Sequence, residues 1–225
     1  MNRQRRQKSD HLYLVLGALF ITALIVCNLI ANKFVSVDLG FKTFVLSAGV
    51  LPYPITFLIT DVLSEIYGRK KTNRVVLTGF LALLFTLFIL WLGAQFESIE
   101  GSPVNDELYE IVYGNSWRVI AASSLAYLVA QLIDVRLFHF WKKLTNSKHL
   151  WLRNNASTIV SQLVDTTLVV GVLFIGVKSN ETIVSYIADG WSFKVLVALA
   201  DTPFLYLFTW MIRKRLKLKF GQEAT

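Results

Sequence analysis

The sequence has little cysteine, histidine or charge. Its 225 residues include a single cysteine and 3 histidines, and only 17% of them are Asp, Glu, Lys or Arg. One cysteine excludes an internal disulfide and most cysteine-based metal sites. An ordinary soluble domain carries roughly 25% charged residues, so the low charge argues against one. A glycine-rich phosphate loop is also missing, so ATP-driven work would need a second subunit.

Long apolar runs are what the sequence has instead. Hydrophobic residues make up 54% of the chain, and they fall in runs of about twenty, the length at which a helix crosses roughly 30 Å of hydrocarbon. We assign six transmembrane segments, at 12–31, 52–67, 75–96, 117–141, 156–177 and 191–212. Residues 44–51 are too few to span, and we expect an extended or re-entrant piece there. The sequence therefore predicts an all-α integral membrane protein, a bundle of about six transmembrane helices.

The basic residues indicate which connections face the cytosol. Cytosolic loops of membrane proteins are enriched in Lys and Arg. With the N-terminus inside, four cytosolic segments carry 17 of the 23 basic residues: 3–8, 69–74, 142–153 and 213–219. The connection after the third run is acidic instead. We therefore expect both termini in the cytosol, with basic tails at 1–11 and 214–225 and a single six-helix domain at 12–213.

This charge distribution also bears on partners and location. A phosphate-binding patch lies on one face of a folded domain, whereas here the net charge of +8 is divided among four short segments. No nucleic-acid partner is expected. The first run is too long for a signal peptide and no clear cleavage site follows it. We expect a multi-pass protein of the cell (inner) membrane, surrounded by the lipid bilayer.

Polar side chains inside the apolar runs are the candidates for function. A charge at the bilayer centre costs roughly 2.5–3.5 kcal/mol, so such residues usually face a protein interior or a cavity. Six of these polar residues form three pairs. The two members of each pair are three or four positions apart, which places them on one face of the helix. The candidates are Asp61 with Glu65, Gln131 with Asp134, Gln162 with Asp165, and Asp201. One from each of four helices lies near the middle of its run, which predicts a midplane site of the kind that secondary transporters use.

Structural explanations compete with these functional ones. Glu65 could pair with Arg69, Asp134 with Arg136 or Lys142, and Lys194 could extend outward or neutralise an acid. Asp61 and Asp165 have no basic residue near them in sequence, which favours a functional role for both.

An integral membrane enzyme is the alternative from another class. A serine protease needs a histidine at the depth of its serine, and no histidine lies within the predicted membrane interior. A metal-dependent enzyme needs clustered carboxylates near the loops, and Asp61 and Glu65 alone are too few. No catalytic residue, metal site or cofactor is predicted.

The region around residue 60 resembles a known signature. Thr60-Asp61-Val62-Leu63-Ser64-Glu65-Ile66-Tyr67-Gly68 is similar to the T-D-x-x-x-E-x-Y-G pattern of the queuosine precursor transporter family, also called vitamin-uptake-transporter-like. The similarity continues along the later helices, from about residue 28 to residue 210. The matching residues there are Ala126, Tyr127, Gln131, Asp134, Phe138, Ser157, Thr158, Gln162, Asp165, Thr166, Phe193, Lys194, Thr202, Pro203 and Tyr206.

The resemblance implies import of a queuosine precursor, 7-cyano- or 7-aminomethyl-7-deazaguanine. It also implies a six-helix bundle similar to the substrate-binding subunits of energy-coupling-factor transporters. A carboxylate such as Asp61 or Asp165 would accept the N–H and amino groups of a guanine-like edge, and Trp117 and Tyr127 would stack on the base. Gln131 and Gln162 would donate and accept at its other polar atoms. An energising subunit, a homo-oligomer, a different vitamin-like substrate and a metal-dependent enzyme all stay open.

Overall fold

The computed structural model describes residues 3–114, 116–176 and 178–224, and their side chains except at 114–122 and 173. The chain is mostly helical, as predicted. In chain order the elements are α1 (Arg3–Leu29), β1 (Phe34–Asp38), β2 (Thr43–Ser47), a 3-10 turn (Ala48–Val50), α2 (Tyr53–Gly93), α3 (Asp106–Tyr109), a π-helical turn (Glu110–Gly114), α4 (Ser116–Leu144), α5 (Leu150–Phe174) and α6 (Asn180–Leu216).

The surface and the interior have the polarity of a membrane protein. Three stretches, Arg3–Leu29, Ala48–Gly93 and Asn180–Leu216, are helical, long and apolar enough to cross a bilayer. Large apolar side chains such as Phe85 are exposed, whereas polar ones such as Gln131 are fully buried. Lipid is a favourable environment for exposed apolar side chains and an unfavourable one for polar side chains. The chain is therefore a helical membrane protein.

The connection between the second and third predicted segments differs from the expected basic loop. Instead, residues 69–74 are helical, and α2 runs through both segments with one non-helical residue, Gly68, at φ 76° and ψ 169°. This backbone conformation is essentially restricted to glycine. A single glycine therefore replaces the loop and divides α2 into a first arm, 53–67, and a second arm, 69–93.

Contacts with α1 show that the chain reverses at Gly68. Tyr67 in the first arm donates to the Ser9 carbonyl, and Tyr53, at the other end of that arm, lines a cavity with Cys27. In the second arm, the Lys71 backbone carbonyl accepts a hydrogen bond from the Tyr13 hydroxyl, and Gly79 lies against Leu24. The first arm is thus antiparallel to α1, and the second arm is parallel to it.

A variant of this residue tests the reversal. Gly68→Ala is expected to lower the accumulation of folded protein several-fold, because Ala is strained in this backbone conformation by about 1–3 kcal/mol and its Cβ would also displace the flexible Glu223 carboxylate. Gly101→Ala is the control: it also has a positive φ, of 78°, but nothing lies within 4 Å of its Cβ. We would measure the monodisperse peak of a fluorescent fusion by size-exclusion chromatography. Equal peaks for the two variants would contradict this role of Gly68.

A short β-hairpin follows α1. β1 and β2 are antiparallel, with Phe34 opposite Ser47, and the Ser47 hydroxyl donates to the Ala31 carbonyl. The predicted extended piece at 44–51 is confirmed as a strand as far as Ser47, where the 3-10 turn begins. The partner strand, 34–38, was not predicted. We call this side of the bundle the hairpin end.

The opposite side, the termini end, holds Ser9, Gly68 and the last residues of the chain. The predicted tails are largely ordered there: α1 begins at Arg3, and α6 continues to Leu216. Beyond α6 the chain returns to the bundle, where the amide of Ala224 donates to the Ile66 carbonyl at 2.7 Å.

Candidate functional site

A cavity of about 510 Å³ lies at the hairpin end, enclosed by α1, the first arm of α2, α4, α5 and α6. Its volume is in the range of roughly 300–1,000 Å³ that is typical of small-molecule sites. The walls are largely apolar and aromatic, with a few polar groups. The aromatic residues are Phe34, Tyr53, Tyr127, Phe174 and Tyr186, and the polar ones include Asn28, Ser47, Ser123, Asp165, Thr166 and Lys194.

A buried ion pair forms the most polar part of this cavity. Lys194 Nζ lies 2.6 Å from Asp165 Oδ2 and 3.2 Å from the Thr166 hydroxyl. The Tyr53 hydroxyl donates to Asp165 Oδ1 at 3.3 Å, and Lys194 Nζ lies 5.0 Å from the Tyr53 ring centroid. Of the two alternatives for Lys194, the structure shows the one in which it neutralises an acid. The Asp165 carboxylate is thereby held in a fixed orientation at the cavity wall.

A small second cavity adjoins the first, with Tyr53 and Lys194 lining both. Gln162 and Asp201 also line it. Both amide atoms of Gln162 and Oδ1 of Asp201 are buried without a hydrogen-bond partner among the described residues. Unpartnered buried groups are costly, and so these atoms are ready to bind a polar ligand or water.

Asp61 on α2 and Gln131 and Asp134 on α4 line neither cavity and are buried inside the bundle. Each is at most 1% exposed. Asp134 accepts hydrogen bonds from the Ser161 hydroxyl at 2.9 Å and the Thr158 hydroxyl at 3.4 Å.

The expected alternative for Asp134, an ion pair with Arg136 or Lys142, is not seen among the ion pairs of the described residues. Gln131 has no hydrogen-bond partner at either amide atom within that part of the chain.

Glu65 lies in an ion-pair cluster at the termini end. Its carboxylate is 2.7 Å from Arg153 Nη2, 2.6 Å from Arg213 Nη2 and 3.7 Å from Lys142 Nζ. Lys142 also pairs with Glu223. These cations come from α4, α5 and α6, so one acid on α2 joins four helices. The cluster takes the place of the expected pair with Arg69.

Residues 47–208 match the family model described as "Putative vitamin uptake transporter". The chain belongs to this family. It is a family of transporters, and the protein is accordingly a transporter rather than an enzyme.

Three curated relatives confirm the resemblance to queuosine precursor transporters. "Probable queuosine precursor transporter" of Bacillus subtilis (strain 168) is 32% identical over 165 residues, covering 73% of this chain and 72% of the relative. "Queuosine precursor transporter" of Escherichia coli (strain K12) is 27% identical, covering 57% and 53%. "Probable queuosine precursor transporter" of Haemophilus influenzae (strain ATCC 51907 / DSM 11121 / KW20 / Rd) is 25% identical, covering 64% and 56%. No solved structure matches the chain.

Two aromatic residues were expected to stack on a base in this transporter. Tyr127 lines the large cavity, and its ring centroid is 6.2 Å from that of Phe20. Its hydroxyl is buried without a partner. The side chain of Trp117 lies outside the described part of the chain.

The sequence reasoning missed several residues that surround the predicted ones. Tyr53 appeared only as part of a span, and Arg153 and Arg213 counted only as topology signals. Their partners are far away in the chain, so no local spacing indicates the contacts. Lys194 did carry a signal, since a lysine inside an apolar run needs a neutralising partner.

Proposed function

We propose that this protein imports queuosine precursors, 7-cyano- or 7-aminomethyl-7-deazaguanine, across the cell membrane. The observation that carries the proposal is the similarity to three proteins named for this transport, the first over 73% of the chain. The large cavity supports it, since it has room for a flat bicyclic base and offers both aromatic and polar walls.

The proposed topology has six membrane crossings: α1, the two arms of α2, α4, α5 and α6. Both chain termini are placed in the cytosol. The basic residues support this orientation, because Arg69, Lys70, Lys143 and Lys214 all lie towards the termini end. The hairpin end and the large cavity then face outside, where the substrate arrives. The bundle is proposed to resemble substrate-binding subunits of energy-coupling-factor transporters.

We place the substrate against the Asp165 carboxylate. An ionised carboxylate has about four acceptor sites on two oxygens, and Lys194 and Tyr53 use two of them. The others can accept the ring N–H and amino group of a guanine-like edge as a pair. Tyr127 stacks on the base. The second cavity, of about 10 Å³, has room for about one water molecule, which would bridge Gln162 and Asp201 to the base.

The deeper candidates have other roles in this proposal. Asp61, Glu65, Gln131 and Asp134 line neither the large nor the second cavity. We assign Glu65 to closure of the cytosolic end. The substrate contacts are limited to side chains that line the two cavities.

Import is tested in cells that lack both queuosine synthesis and their own importer. We would express this chain, supply each 7-deazaguanine at low concentration, and score queuosine in tRNA by boronate gel shift. The expected result is a shift that depends on the chain and on one or both precursors.

The absence of a shift, with the protein shown to be in the membrane, would contradict the proposal. Uptake of another vitamin-like compound by the same cells would then favour a different substrate, as the family description allows. Repeating the assay with purified protein in liposomes shows whether this single chain suffices or an energising subunit is needed.

A further inference from the structure

Four acids are almost completely buried in the bundle, and they divide into two classes. Asp61, Glu65, Asp134 and Asp165 are each at most 3% exposed. Glu65 and Asp165 form ion pairs with Arg or Lys. Among the described residues, neither Asp61 nor Asp134 forms an ion pair. Since a buried uncompensated charge is very costly, these two acids need another cation.

The geometry of the two acids indicates which cation it is. Both carboxyl oxygens of Asp61 are buried without a hydrogen-bond partner among the described residues, and the Asp134 carboxyl group is near enough to interact with Asp61 electrostatically. Two ionised carboxylates side by side in this buried environment, without a counter-ion, would be very costly, so one of the two groups carries a proton. Asp134 already accepts from the Ser161 and Thr158 hydroxyls, which stabilises its ionised form. Asp61 is therefore the group that carries the proton.

Among the described residues, no ion-pair partner competes for this proton. The other charged groups that act on Asp61 are Asp201 from α6 and Arg153 from α5, and Arg153 is engaged by Glu65. The buried core cluster that α1 and α2 share is apolar, and α1 contributes Phe20 and Leu24 to it. In the described ranges, no three His, Cys, Asp or Glu side chains are arranged to hold a metal ion.

A buried amide provides a second, independent indication of a polar site. Gln131 is fully buried, and both its amide atoms lack partners. It lies three residues before Asp134 on α4 and therefore on the same face as the acid. An amide can both donate and accept, so Gln131 is suited to hold a hydronium or a water that passes a proton to the pair.

The position of the pair along α2 fits a coupling site. Tyr53, at the large cavity, precedes Asp61 by eight residues, or about 12 Å, and Glu65 follows it by four, or about 6 Å. Asp61 thus lies between the outer cavity and the ion-pair cluster that closes the termini end. A group between an open side and a closed side is where alternating access requires the coupling ion.

We propose that the Asp61–Asp134 pair binds the proton whose inward movement drives import, and that this protein is a proton–substrate symporter. The inference rests on the proposed import function. In each cycle an O–H bond forms on Asp61 with a proton from outside and breaks when that proton leaves to the cytosol. Substrate binding at Asp165 and proton binding at Asp61 use separate groups. With an uncharged base, one positive charge enters per cycle.

The test uses purified full-length protein in liposomes that contain a pH-sensitive dye. Addition of 7-cyano-7-deazaguanine outside is expected to acidify the lumen, and an inward proton gradient is expected to concentrate the base inside. A protonophore should abolish that accumulation but leave exchange of labelled for unlabelled base intact. Exchange without acidification, or accumulation that requires Na⁺ instead of protons, would overturn the proposal. Absence of exchange would instead count against the import function itself.

Two variants connect the coupling to these residues. Asp61→Asn cannot release a proton, and we expect substrate-dependent acidification of the lumen to fall at least tenfold. Acidification at the wild-type rate would overturn the assignment.

Ser161→Ala removes one hydrogen bond to Asp134 and is expected to move the pH midpoint of accumulation up by about half a unit. Ser192→Ala, which removes an exposed hydroxyl from α6, is the control and should leave the midpoint unchanged. A midpoint in Ser161→Ala that matches this control would also overturn it.

Discussion

Asp165→Asn is expected to lower the initial rate of precursor uptake by about 10- to 100-fold. The carboxylate accepts from Lys194 and Tyr53 and is proposed to accept the guanine-like edge. An amide replaces one acceptor oxygen with a donor, so it loses the paired interaction and opposes the substrate N–H groups. Hydrogen bonds to charged groups contribute about 1.5–3 kcal/mol, which corresponds to that range of rates.

Two further variants separate the role in binding from the role in folding. Asp189→Asn breaks the exposed Lys42–Asp189 pair at the same end of the bundle, and uptake by this matched control should stay within twofold of wild type. Asp165→Asn with Lys194→Met removes both buried charges, so it eliminates the unpaired lysine. If uptake returns in the double variant, the substrate does not bind Asp165. The measurement is uptake of labelled base per amount of protein in the membrane.

The helices could be predicted from the sequence because each depends on local composition. Runs of about twenty apolar residues form helices in lipid, where every backbone polar group must be bonded within its segment. Membership of the transporter family followed from short motifs such as Thr60 to Gly68. The boundaries were less accurate: α6 begins at Asn180 rather than near 191, since the Ser179 side chain caps it by accepting from the Thr182 amide.

The reversal at Gly68 and the hairpin were harder to predict. A basic stretch is a good indicator of topology, but it does not distinguish a loop from a helix that projects beyond the bilayer. Gly68 was visible in the motif, yet only its φ of 76° shows that one residue reverses the chain. β1 and β2 are five residues each, and β2 contacts Ala31, just after α1, and Phe193 of α6, both of which are distant in the sequence.

The candidate site was predictable as a set of residues but not in its division of roles. All the polar candidates with described side chains are buried or line a cavity, as the cost of exposing them to lipid requires. Which acid forms an ion pair depends on distant residues. Arg153 and Arg213, for example, are 88 and 148 positions away from Glu65 in the sequence. Spacing along one helix contains no information about such contacts.

Glu65→Gln is expected to cause the largest loss of folded protein among the acid variants. Glu65 contacts Arg153, which is fully buried, together with Arg213 and Lys142. Glutamine leaves these cations without their shared counter-ion, and breaking a buried pair in this way costs about 3–5 kcal/mol. The measurement is the midpoint of thermal aggregation in detergent, followed by size-exclusion chromatography of a fluorescent fusion, with uptake measured on whatever protein remains folded.

Glu223→Gln is the control within the same cluster. Among the described residues, Glu223 forms an ion pair only with Lys142, and its side chain is 36% exposed, so its loss should cost at most about 1 kcal/mol. A large difference between the two variants would show that the packing of the termini end depends on Glu65 and not on the total charge of the cluster. Equal stability of both would mean that Arg153 finds compensation elsewhere, and the role of Glu65 in holding four helices together would be wrong. If Glu65→Gln is destabilised as expected, the glutamate of the T-D-x-x-x-E motif stabilises the packing of the helices and does not bind the substrate.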